Sequence, residues 1–214
     1  MLNSSEETLN KLAWLNTRKK IMSMPRLKIQ KFLYFYEMFQ KVAGEPYEID
    51  HLKAYRNGPV FSQVYGDINY RETEVYHELD KVGDFEINLK SAEEALFMVS
   101  SMTEPELSEL THQFDMWKSK KDRINRGEQQ IPITDEDISQ KDIDLLEQIV
   151  PDYPVNNPDY HIISMQSKKF VISAEDYKNL TEIHYDILEQ LSNEEDLFNP
   201  VYLSIEEDGG LLVD

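Results

Sequence analysis

From Ser23 to Ala43 the apolar positions follow the period of a helix. Ile29, Phe32, Leu33, Tyr36 and Phe39 recur every three or four residues and share one face. Tyr34, Phe35, Met38 and Val42 fill most of the remaining circumference, and a helix apolar on nearly every side belongs in the middle of a core. Ser23 suits the cap, Pro25 the first turn and Gly44 the stop. Residues 1–20 read as a frayed or short helical leader. After the central helix, Tyr47–Tyr55 ends in Arg56-Asn57-Gly58-Pro59, a turn signal in which Pro59 is suited to open a helix. That helix continues through Val60, Phe61, Val64, Tyr65 and Ile68, and Thr73–Lys81 predicts a further short one. Asp84–Leu89 alternates Phe85, Ile87 and Leu89 as a strand does. Capping-box patterns at Ser91–Glu94 and Thr103–Glu106 open two more helices. His112–Arg126 predicts one helix with Trp117 on its inner side, and Thr134–Val150 another.

The pattern changes at Pro151–Pro158, where three prolines and two asparagines read as a linker. Tyr160–Ile172 has strand character. Ser173 then caps a helix carrying Tyr177, Leu180, Ile183, Ile187, Leu188 and Leu191, and Val201–Val213 reads as a hairpin around Glu207-Asp208-Gly209-Gly210. The expected fold is therefore α+β and predominantly α-helical. A helical domain over residues 1–150 surrounds the buried central helix and includes small β elements. Residues 151–214 form a small α+β extension of strand, helix and hairpin.

Composition narrows the function. The chain has 214 residues, 41 acidic against 22 basic, and no cysteine. Lack of cysteine removes disulfide frameworks, thiolate nucleophiles and cysteine-based metal centres together. The polar stretch Met1–Lys20 holds no signal-peptide core, and no window is apolar enough to span a bilayer, so a cytoplasmic location without membrane contact is expected. A net charge of −19 argues against general nucleic-acid binding, which needs clustered cations. The excess is uneven: residues 1–127 carry 18 basic and 20 acidic groups, residues 128–214 only 4 basic against 21 acidic. An acidic second part suits a basic partner.

Enzyme signatures are missing. There is no nucleophile elbow, phosphate loop, dinucleotide fingerprint or zinc helix, and seven glycines leave little material for a phosphate cradle. His112 and Asp115 are three apart, a weak metal pair with no further ligands in view. No catalytic residue, metal or cofactor is assigned. The densest basic run, Lys118, Lys120, Lys121, Arg123 and Arg126, reads as a solvated face; it is also the sole support for a DNA-binding autoregulator.

Three ordered blocks carry a resemblance. Leu27-Lys28-Ile29-Gln30-Lys31-Phe32-Leu33-Tyr34-Phe35 resembles the L-x-x-Q-K-L-L-Y-F helix of the Panacea domain. Leu52–Val60 with Val64-Tyr65 is similar to its A-W/Y-x-x-G-P-V segment, and Leu107–His112 followed by Trp117 to its L-S-x-L-T-H…W segment. Ile131-Pro132-Ile133 matches a short P-I element. Phe32 stands where Leu is usual, Met116-Trp117 replaces Pro-Trp, and the spacer from Val82 to Ser91 is longer. The resemblance covers about residues 5–150 and implies a non-enzymatic antitoxin domain of bacterial and phage toxin–antitoxin systems, with a cognate protein toxin as partner. It implies direct neutralisation, or in some cases delivery of the toxin to a protease as an adaptor. The motif residues carried over are Lys31, Tyr34, Tyr55, Gly58, Pro59, Val60, Tyr65, Thr111, His112 and Trp117. Several have a plain structural reading: Gly58 and Pro59 make a turn, Tyr34 and Trp117 pack with a polar atom needing a partner, and Thr111 and His112 sit where a helix ends. A metal-dependent hydrolase using His112 is the remaining enzymatic alternative. Outside this region, Phe170–Tyr177 is similar to the strand-to-helix segment of Phd/YefM-type antitoxins.

Overall fold

A computed structural model describes residues 1–156 and 159–214. It is an α+β protein dominated by helices, with two small sheets. Its contacts divide the chain into two compact units, Met1–Leu96 with Glu104–Val150, and Phe97–Thr103 with Pro151–Asp214.

In the first unit, helix α1 (Glu6–Arg18) is followed by a 3-10 turn at Ile21–Ser23 and by α2 (Arg26–Val42). The stretch expected as a short leader is thus a full helix. Ser5 caps it by accepting from the Thr8 amide, and Leu12, Trp14 and Leu15 are core residues. It escapes a periodicity reading because its apolar stripe is narrow, and a packed partner completes it. Ser23 caps nothing; Pro25 holds the N-cap position of α2 without a side-chain acceptor. Every residue from Ile29 to Gln40 is buried, as an all-round apolar helix requires. Its rings pack in offset and edge-on pairs: Phe32 stacks on Trp14 at 5.9 Å between centroids, Phe35 on Phe39 at 5.6 Å, and Tyr34 meets Phe114 edge-on at 6.0 Å. Glu37, also buried, is matched by Lys11 at 2.5 Å and by the Glu48 amide at 2.8 Å. Burial still pushes the Glu37 carboxyl up, while Lys11 and the Glu48 amide pull the other way.

Strands β1 (Leu52–Tyr55) and β2 (Gly58–Phe61) form a tight hairpin whose turn is Arg56-Asn57. Pro59 therefore lies in a strand rather than opening a helix. It is tolerated there because β2 is the edge of a sheet ordered β2-β1-β3, where its missing N–H breaks no ladder. Helices α3 (Ser62–Tyr70) and α4 (Glu72–Leu79) follow. Asp84–Leu89 forms no strand; the alternation is present, but no neighbouring strand pairs with it. Helix α5 (Leu89–Ser101) begins before the expected Ser91 box. Asn88 accepts from the Ser91 amide, while the Ser91 hydroxyl donates to Gln40 at 3.0 Å. Helix α6 (Glu104–Thr111) is followed by two short helices, α7 (Asp115–Lys118) and α8 (Lys121–Asn125), where a single one was expected. Strand β3 (Ile131–Pro132) pairs with β1. A 3-10 turn at Asp135–Asp137 then precedes α9 (Gln140–Ile149), which starts at Ser139 rather than at Thr134.

Asp142 explains the break between α6 and α7. Its buried carboxylate closes the capping box with Ser139 and accepts the Asp115 amide at 2.5 Å and the Met116 amide at 3.0 Å. One side chain thereby satisfies orphan N–H groups at the starts of two helices.

In the second unit, α10 (Tyr153–Asn156) occupies part of the expected linker, of which Asn157 and Pro158 lie outside the described residues. Strands β4 (Tyr160–Met165) and β5 (Lys168–Ser173) form a hairpin, and α11 (Ala174–Tyr177) is capped by Ser173, which accepts from the Asp176 amide. The single helix expected from Ser173 to Leu191 is therefore two: α12 (Glu182–Leu191) has its own capping box at Thr181 and leads to β6 (Val201–Ile205) and β7 (Leu211–Val213). The sheet runs β4-β5-β6-β7, with β5 and β6 parallel and the other pairs antiparallel. The parallel pair is reached through α11 and α12, as a crossover connection must be. Phe170, Ile172, Leu188, Val201 and Leu203 form the core of this unit. Beside them Phe97, Tyr153, Tyr160 and Tyr202 make a ring cluster.

Candidate functional site

The three motif blocks lie up to 90 residues apart, yet they meet in the first unit. Helix α2 supplies Lys31 and Tyr34, the β1–β2 hairpin Tyr55, Gly58, Pro59 and Val60, α3 Tyr65, and the end of α6 with α7 supplies Thr111, His112 and Trp117. Gly58 is the pivot. Its φ of +104° lies where side-chain-bearing residues are strained, and a Cβ there would collide with Lys31 Nζ and Thr111 Oγ1, both well inside 3.0 Å. The bare backbone lets α2 and α6 close on the hairpin from two sides.

Lys31 is 1% exposed. Its amine donates to the Pro59 carbonyl over a long 3.5 Å and lies 6.0 Å from the Tyr34 ring centroid. Among the described residues no carboxylate is within ion-pair distance of it. Burial accordingly pushes its amine down to about 7 from the usual 10.5, because the charged form loses its water without gaining a counter-charge. Thr111 Oγ1 donates back to the Leu107 and Ser108 carbonyls, each at 3.0 Å, in the last turn of α6. His112 stacks face to face on Trp117 at 3.7 Å, and its Nε2 is buried without a hydrogen-bond partner. Burial lowers its basicity first and the Lys31 charge second, with a hydrogen bond to the Arg56 backbone pulling the other way. Trp117 Nε1 donates to the Tyr55 carbonyl at 2.8 Å, and Ser108 Oγ to that of Asn57 at 3.2 Å. Both bonds clamp the hairpin to the α6–α7 corner. Tyr34, fully buried, donates to the weak acceptor Met116 Sδ at 3.6 Å; burial and then the Asp142 charge hold its phenol well above the usual range.

On the outer side of this node lies an open cavity of about 380 Å³. Lys31, Tyr55, Pro59, Val60 and Tyr65 line it, half of the motif set. Tyr55 and Tyr65 lean together at 5.7 Å between centroids, and burial followed by Tyr65 raises the Tyr55 phenol. The cavity is also lined by Arg26, Gln30, Arg56, Asn57 and Asn69, none of which is among the motif residues carried over from the sequence. Gln30 was legible as part of the first motif; its Oε1 accepts from the Phe61 amide at 2.8 Å and so ties α2 to β2. The arginines carry no motif signal, since their convergence depends on the fold.

Other expectations resolve differently. Asp115 does not pair with His112: its carboxylate accepts from Ser139 at 3.0 Å and faces Lys141 at 3.8 Å. Among the described residues no group of three or more His, Asp or Glu is placed to hold a metal ion, and no helix is long and apolar enough to cross a membrane. In the basic run, Lys120 pairs with Asp137 and Arg123 with Glu128. Comparison with family models, with curated proteins and with solved structures finds no match to this chain.

Proposed function

We propose that this protein is the antitoxin of a toxin–antitoxin system, built on a Panacea-like domain, and that it neutralises a cognate protein toxin by direct binding. The observation that carries this reading is the convergence of the three motif blocks on Gly58. Residues that resemble one family's pattern at three separated places interlock around one backbone position, as a shared functional scaffold would require. Arg56 at the hairpin tip and Tyr65 on α3 are exposed next to that node and offer a cation and an aromatic, residue types favoured in protein interfaces. Residues 128–214, with 4 basic and 21 acidic groups, would steer a basic toxin, an effect that weakens with salt. Two of the five cations of the Lys118–Arg126 run are already matched by acids, which disfavours a DNA-binding role. No catalytic role is proposed for any residue.

Co-expression with the product of the adjacent gene tests this. The reading requires restored growth and a complex that survives purification, with both diminished in Tyr65→Ala and Arg56→Glu. A neighbouring product that is equally lethal with and without this chain refutes it.

A further inference from the structure

The cavity beside the hairpin has a charge character opposite to that of the molecule. The chain carries 41 acids to 22 bases, yet no carboxylate lines this cavity, whereas Arg26, Lys31 and Arg56 all do. None of the three forms an ion pair among the described residues, although ten other pairs are made. Two unmatched guanidiniums and the buried Lys31 amine, whose proton an anion would stabilise, border one hollow, an arrangement that favours an anion within it. Two features sharpen the fit. Arg26 is the first residue of the 17-residue helix α2, whose start has no side-chain cap and no acidic residue in its first turn, so backbone N–H groups and the helix dipole add to the positive field. Arg26 is also held: its guanidinium donates to Asn69 Oδ1, and Asn69 Nδ2 donates in turn to the Tyr65 carbonyl at 2.7 Å. A guanidinium fixed in this way binds with less loss of freedom on meeting a ligand.

The rest of the lining is largely apolar and aromatic, with Tyr55 and Tyr65 beside Pro59 and Val60. Tyr65 is 42% exposed and borders the cavity, which makes its ring available to a planar group. A volume of about 380 Å³ lies in the lower part of the range of small-molecule sites. A lone carboxylate would leave much of this charge unmatched; a phosphate offers more charge and more acceptor oxygens. We propose that the cavity binds the phosphate group of a mononucleotide-sized ligand, with the attached ring against Tyr65 and Tyr55. This inference does not rest on the antitoxin reading and is tested without a toxin.

The experiment is calorimetric titration of the full chain with AMP, UMP, adenosine and inorganic phosphate, and with a hexaglutamate peptide. Saturable binding of a nucleotide is expected, with adenosine and inorganic phosphate each at least about tenfold weaker, because each offers only half of the contacts. Arg56→Ala and Arg26→Ala are each expected to weaken nucleotide binding about tenfold, the scale of a lost charged hydrogen bond, with the melting temperature kept because both side chains are exposed. Lack of saturable binding by either nucleotide overturns the proposal, as does nucleotide binding that both arginine variants leave unchanged. Inorganic phosphate binding as tightly as AMP overturns the nucleotide-sized ligand. Hexaglutamate binding while the nucleotides do not would assign the cavity to a partner's carboxylates and overturn the phosphate.

Discussion

Replacing Lys31 by Met removes a charge that the fold buries without a counter-ion. Burial lowers the amine from 10.5 to about 7. Each unit of such a shift corresponds to about 1.4 kcal/mol, so the cost of burying the protonated amine reaches about 5 kcal/mol as an upper bound. The sign follows from proton binding. Between about pH 7 and 10.5 the unfolded chain holds this proton and the folded chain does not, so wild-type stability should gain up to about 1.4 kcal/mol per pH unit as pH rises through that window. Below it the amine is charged in both states and the full penalty applies. Met keeps most of the stem volume, and the hydrogen bond lost is the long one to Pro59, so little packing is sacrificed. Lys31→Met is expected to be more stable than wild type by several kcal/mol at about pH 6.5, with the gap shrinking by at least about 2 kcal/mol by about pH 9.5. Urea denaturation followed by tryptophan fluorescence at several pH values measures both. Tyr34 and His112, the titratable neighbours, remain in both proteins, so the difference between the curves isolates Lys31 apart from its influence on His112. Parallel pH profiles for the two proteins would refute the account of Lys31 as a buried, uncompensated amine.

Other outcomes follow from the same geometry. By NMR titration His112 should protonate below the usual range, and its midpoint should move up in Lys31→Met, since the Lys31 charge is the second cause of its depression. Gly58→Ala should cost about 2–4 kcal/mol by thermal or urea unfolding, combining left-handed strain with overlap on Lys31 and Thr111; in a Lys31→Ala background the same change should cost less, because the Lys31 part of the overlap is gone while the Thr111 part and the strain remain. Asp67 accepts from the Asn3 amide and side chain, the Ser4 amide and hydroxyl, and Arg71, so Asp67→Ala should cost about 3 kcal/mol, with faster amide exchange at Asn3 and Ser4. Trp117→Phe should cost about 1–2 kcal/mol in urea unfolding, because the Tyr55 carbonyl loses its 2.8 Å donor.

The central helix was legible because its apolar period is local and almost continuous; burial from Ile29 to Gln40 matches it. The turn at Arg56-Asn57-Gly58 and the Ser173 cap were legible for a similar reason, since each depends on a few adjacent residues. The strand suggested by Asp84–Leu89 failed because alternation records which faces a strand would have, while a strand exists only if another one pairs with it. Pro59 misled in the opposite direction: its fixed φ suits the first turn of a helix and also an edge strand, and the partner at Ala54 decides between them.

By itself the sequence determined the helical class, the buried helix α2, the acidity of residues 128–214 and the motif residues. These are properties of composition and short-range spacing. Tertiary structure alone decided that α1 completes the core, that Asp142 starts two helices, and that Gly58, Lys31 and Thr111 interlock. It also decided that Arg26 and Arg56 face one hollow with Lys31. The physical reason is that burial, desolvation and the overlap of charges depend on distances between residues far apart in the chain, and those distances exist only once the chain has folded.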